Sequence, residues 1–74
     1  MHTDTLIRMV NQIGTFFEAM PDRAEAVENV AQHLKRFWEP RMRRELLACV
    51  DAGGNATLNP MAAEAIERHR KVLD

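Results

Sequence analysis

A chain of 74 residues has room for one domain, and the core of so small a domain rarely supplies more than about 3–5 kcal/mol by itself. A single cysteine excludes an intrachain disulfide, and a net charge of −1 with a pI near 6.3 gives no bulk signal for nucleic acid. The opening MHTDT carries no basic run, and no stretch of about 20 apolar residues follows, so the sequence predicts a cytoplasmic chain with neither signal peptide nor membrane span.

Met20-Pro21-Asp22, Glu39-Pro40, and the stretch from Gly53-Gly54 to Pro60 are the breaks. They predict an all-α fold, a small bundle of four short helices forming one domain over residues 1–74. The first helix is expected over residues 4–20, with Thr3 as cap and Asp4 at the positive end of the dipole. Leu6, Val10, Ile13, Phe17 and Met20 alternate steps of four and three and so share a face. Met9 and Phe16 widen that face on one side, Ile7 and Gly14 on the other, while Arg8, Asn11, Gln12, Thr15 and Glu18 lie opposite. The apolar arc reaches about 180°, where about 100° serves a helix packed on one side. Either the helix is covered on two sides within the bundle, or the Met9–Phe16 edge meets another chain.

The second helix is expected to begin at Asp22, which has capping-box spacing to Glu25, and to end near Trp38 because Pro40 disfavours a helical Glu39. Val27, Val30, Ala31, Leu34, Phe37 and Trp38 form its apolar face, with His33 at the edge. Pro40 opens the third helix, whose apolar face is Met42, Leu46, Cys49 and Val50, with Leu47 at its edge. Cys49 reads as a small core residue. Gly53 and Gly54 supply its stop, and Asn59-Pro60 caps and opens a fourth helix with Ala62, Ala65, Ile66, His69, Val72 and Leu73 on one face. The expected core includes Leu6, Val10, Ile13, Phe17, Val27, Val30, Leu34, Leu46 and Val50. The first two helices are expected to pack antiparallel, because their connection is short.

The run KRFWEPRMRR, residues 35–44, departs from these local rules. Lys35, Arg36, Arg41, Arg43 and Arg44 against Glu39 give it +4, between segments carrying −3 and −2. Three of its arginines fall near the start of the third helix, where cations oppose the dipole by roughly 0.3–1 kcal/mol each. Arg43 also projects close to the apolar arc. Such conflicts tend to mark functional positions. Phe37, Trp38, Arg41, Arg43 and Arg44 are therefore the candidate partner-binding residues, since Trp and Arg are enriched in interface hot spots. The competing explanation is internal: the aromatics fill the core and the arginine stems cover it.

No catalytic, cofactor-binding or metal-binding residue is assigned. The sequence has no glycine-rich phosphate loop, no cysteine pair and no nucleophile elbow, and its histidines at 2, 33 and 69 are too far apart for a metal motif.

Three segments carry a resemblance: LIRMVNQIGTFF, HLKRFWEPRMRRELL and GGNATLNP. Together they resemble the delta subunit of NAD-dependent formate dehydrogenase, over roughly residues 6 to 60. Met9, Asn11, Gln12 and Ile13 match its opening motif, and Phe37-Trp38-Glu39-Pro40-Arg41-Met42-Arg43 is the most specific part. Val10 stands where a smaller residue such as Ala is expected, and Asn59 where Asp is expected. The resemblance implies a non-catalytic accessory subunit of a cytoplasmic complex that oxidises formate to carbon dioxide and reduces NAD. It places the molybdenum or tungsten pterin cofactor, the iron–sulfur clusters and the FMN in the larger subunits, which would be this chain's partners. It implies neither a nucleic-acid nor a membrane partner. Two alternatives stay open: a transient chaperone for molybdenum-cofactor insertion, and a small nucleic-acid-binding helical protein using the basic run with Trp38.

Overall fold

The computed structural model describes residues 3–74, and Asn55 by its backbone alone. Helix α1 spans Thr3–Phe17, α2 Arg23–Phe37 and α3 Pro40–Asp51. A 3-10 turn over Gly54–Thr57 leads into α4, Pro60–Arg68, and the short α5, Arg70–Leu73. No strand occurs among the described residues. The fold is all-α as expected, with the fourth helix divided in two.

Local chemistry accounts for most of the ends. The Asp22 carboxylate accepts the Glu25 N–H at 3.1 Å to start α2, and Asn59 Oδ1 accepts the Ala62 N–H at 2.8 Å to start α4. Pro40 and Pro60 open α3 and α4, where the missing N–H would have had no helical partner. Gly53, at φ +100°, takes the left-handed turn that stops α3. Helix α1 ends at Phe17 rather than at Met20. Its chain tightens there, the Met20 N–H donating to Phe17 O at 3.0 Å, as it approaches Pro21. The fourth helix breaks at His69, where neither Gly nor Pro signals an end. The break turns α5 against α2 and carries Leu73 into the interior.

Leu6 and Val10 of α1 cluster with Leu34 and Trp38 near the end of α2. Ile13, Phe17 and Met20 meet Ala26, Val27 and Val30 near its beginning. Helices α1 and α2 are therefore antiparallel. Helix α4 lies against both, giving Ala62 and Ile66 to the first cluster and Met61 and Ala65 to the second. Helix α3 adds Leu46 and Leu47. Of the nine expected core residues, Leu6, Val10, Val27, Val30, Leu34 and Leu46 are buried, while Ile13, Phe17 and Val50 are half-buried and packed against the clusters.

A polar seam joins α1 to the start of α4. Asn59 N–H donates to Asn11 Oδ1 and Asn59 Nδ2 to Asn11 O, both at 2.8 Å, and Asn11 Nδ2 donates to Thr57 O at 3.0 Å. Gly14 makes this approach possible, because a Cβ there would lie 2.7 Å from Asn59 Oδ1.

Candidate functional site

The basic run separates into an inner and an outer part. Trp38 caps the C-terminus of α2, its N–H donating to Leu34 O at 3.0 Å, and its side chain sits in the core at 5% exposure. Arg43 is also buried, at 7% exposure. Its guanidinium donates to Trp38 O at 2.7 Å, to Lys35 O at 3.2 Å and to Leu73 O at 3.2 Å. The first two carbonyls close α2 and the third closes α5. Arg43 therefore sits near the start of its own helix but at the negative ends of two others, which resolves the local dipole conflict. Trp38 and Arg43 thus make their contacts inside the chain, while Phe37, Arg41 and Arg44 remain on the surface. Arg41 reaches Glu45 one turn on, at 3.5 Å. Arg44 makes no ion pair among the described residues.

Phe37 is 71% exposed, and Phe16 on α1 is 73% exposed. They belong to a row of rings crossing from α1 to α2. Phe16 and Phe17 meet edge to face with centroids 5.1 Å apart, Phe17 and His33 are 6.4 Å apart, and His33 and Phe37 are 4.8 Å apart. Beside this row lies a groove of about 340 Å³ lined by Met9, Gln12, Ile13, Phe16, Phe17, His33 and Trp38. The Met9–Phe16 edge that made the first helix too widely apolar is one wall of this groove. The opposite edge, Ile7 and Gly14, is buried. A second recess on the α2 side brings Arg36 beside Phe17, His33 and Phe37.

Two further groups of charges are paired at the surface. Glu64 receives Arg23 at 2.9 Å and Arg68 at 3.2 Å, and Arg70 grips Asp51 through both terminal nitrogens at 2.8 and 2.6 Å. The hydrogen bonds from Arg70 hold the Asp51 carboxyl below its ordinary pKa, with the neighbouring positive charge adding to the effect. No group of three His, Cys, Asp or Glu side chains among the described residues could hold a metal ion, and Cys49 is a lone half-buried thiol. No described helix is long and apolar enough to cross a membrane.

Residues 5–66 match the family described as the NADH-dependent formate dehydrogenase delta subunit, FdsD. The chain belongs to this family. No curated protein and no solved structure matches it. The delta-subunit match covers both walls of the aromatic groove, the basic junction and the Asn11–Asn59 seam, and it ends before α5. Within the family motif, Asn11 ties α1 to the segment preceding α4, Gln12 lines the groove, and Arg43 locks the α2–α3 junction from inside. Asn59 does more than cap: its Nδ2 donates to Asn11 O, which the carboxylate of an Asp at this position could not do.

Periodicity puts Asn11 and Thr15 on the polar face of α1, whereas both meet Asn59, Thr15 through a 3.4 Å contact from Asn59 Nδ2. Gly14 within a helix was the available signal, since a glycine there is unfavourable unless another group approaches closely.

Proposed function

We propose that the chain, a single helical domain over residues 1–74, is a non-catalytic accessory subunit of a cytoplasmic NAD-dependent formate dehydrogenase complex and supports its assembly or stability. The delta-subunit family match over residues 5–66 carries this reading. The larger subunits would supply the molybdenum or tungsten pterin centre, the iron–sulfur clusters and the FMN, and formate oxidation would take place there. Several of this chain's charged groups have structural roles, which is in keeping with a non-catalytic subunit. Asp22 is a helix cap, Arg43 is bound to carbonyls, and Glu45, Asp51 and Glu64 are engaged by arginines. Phe37, Arg41 and Arg44 are the surface members of the proposed partner contact, and Trp38 and Arg43 fix the junction that presents them.

Co-purification from cells producing the complex tests the assignment. A tagged chain should recover the larger subunits and their cofactors in fixed stoichiometry. Recovery only of cofactor-free large subunit would favour the transient chaperone, and recovery of neither would refute both. Arg41→Ala and Arg44→Ala should retain the parent's helical content and weaken association by about 1–2 kcal/mol each.

A further inference from the structure

We propose that the groove between α1 and α2 receives an amphipathic, acidic helix of a larger formate dehydrogenase subunit, seated against Phe16 and Phe37 with a carboxylate on Arg36. This rests on the accessory-subunit reading and adds the surface and the chemistry of what fills it.

Three observations carry it. The first is shape. The rings of Phe16, Phe17, His33 and Phe37 touch in succession from α1 to α2, with Phe16 and Phe37 open at the two ends. An amphipathic helix lays its apolar face into a groove of this kind through anchors at i, i+4 and i+7. The groove of about 340 Å³ has room for anchoring side chains from that face.

The second is charge. No carboxylate lines either recess on this side, and Arg36 is the charged residue beside the rings. Arg36 makes no ion pair among the described residues, and Lys35 and Arg44 on the same basic run make none either. A second copy would bring the same positive face against itself in a two-fold dimer, where like charges oppose. An acidic segment satisfies Arg36 instead.

The third is area. With 73% and 71% of their surfaces open, Phe16 and Phe37 together offer on the order of 300 Å². A stable pair of proteins buries about 800 Å² on each side. The aromatic row alone is too small to hold two copies of this chain together, but it suits one element of a wider footprint on a large subunit.

The test places a photo-crosslinking p-benzoylphenylalanine at position 16 in the chain bound to its complex and maps the linked peptide. The expected product joins position 16 to a larger-subunit segment with apolar residues at helical spacing and interleaved Asp or Glu. Phe16→Asp and Phe37→Asp should each lower affinity for the complex by about tenfold or more while leaving the far-UV circular dichroism of the free chain unchanged. Arg36→Glu should weaken binding at low salt and flatten its salt dependence. A crosslink to a second copy of this chain, or to a segment without acidic residues, overturns the proposal. So does undiminished binding by both Phe variants while the parent still co-purifies, an outcome that leaves the accessory-subunit reading standing. Failure of the parent itself to co-purify removes that reading and this one together.

Discussion

On one flank of α1, Asn11 and Gly14 meet Asn59 so closely that a Cβ on Gly14 would lie 2.7 Å from Asn59 Oδ1. On the other flank, Met9 and Phe16 border an open groove, and Phe16 is among the most exposed large apolar residues of the described chain. The two flanks reverse the usual distribution, with amides turned inward and a phenylalanine turned outward. The same reversal recurs at the α2–α3 junction, where Arg43 is buried and Phe37 is open. An internal polar contact survives when every group finds a partner, as the Arg43 guanidinium does on carbonyls and Asn59 does on Asn11. Phe16 and Phe37 touch Phe17 and His33 yet keep most of their surface open, so folding alone buries little of either ring, and the partner contact proposed above would bury more.

This contrast predicts that neighbouring substitutions read out in different assays. The largest effect falls at Trp38. Trp38→Ala empties a core site and should cost about 3–5 kcal/mol, comparable to the whole stability of so small a domain, so the free chain should lose its cooperative thermal transition. Phe37→Ala, one residue away, should change stability by less than about 0.5 kcal/mol in the same melt. Equal destabilisation by the two would break the distinction between inner and outer aromatics.

Next is Arg43→Ala, which removes a charged donor from the carbonyls of Lys35, Trp38 and Leu73 and should cost about 2–3 kcal/mol in urea denaturation. Arg43→Lys should recover only part of this, because an ammonium lacks the fork that spans separate acceptors. Arg44→Ala should be nearly neutral in that assay.

Gly14→Ala sets two effects against each other. Alanine in a helix interior gains roughly 0.5–1 kcal/mol over glycine, but overpacking costs about 1–3 kcal/mol, and the neighbour that must give way is the cap of α4. A net loss of about 1–2 kcal/mol is expected in thermal unfolding. A gain would show that the seam yields.

The smallest effect concerns pH. The carboxyl of Asp51 has its pKa lowered in the folded state by Arg70. Its contribution to stability is therefore present above the unfolded pKa of about 3.9 and is lost as pH falls through the lower folded value. The pair lies at the surface and is screened by solvent, so Asp51→Asn should barely shift the melting temperature at neutral pH and should reduce the loss of stability on acidification only slightly.

The helix ends were legible because their causes lie within a few residues: Asp22 with Glu25, Asn59 with Ala62, and Pro40 and Pro60 at first positions. Apolar phasing likewise located the buried faces of α1 and α2. The polar seam was not legible, because Asn11 and Asn59 are 48 positions apart and periodicity assigns an amide to the outside. The break at His69 carries no local signal and follows from how α5 packs on α2. In the basic run, the dipole conflict correctly marked Arg43 as unusual. Two of the carbonyls that resolve it lie close in sequence, at Lys35 and Trp38, but the third, on Leu73, comes from the far end of the chain, which no local pattern reports. Phe37 and Trp38 looked alike in sequence, and only the course of α3 and α5 decides which of them is covered.

The central claim is that this chain serves the formate dehydrogenase complex without performing its chemistry. The direct measurement is the yield and thermal stability of the complex from cells lacking the chain, compared with cells supplied with the parent or with Phe16→Asp. The account predicts less assembled complex, or a lower inactivation temperature, in the absence of the chain, rescue by the parent, and little rescue by the variant. Complex of equal yield and equal stability with and without the chain would contradict it.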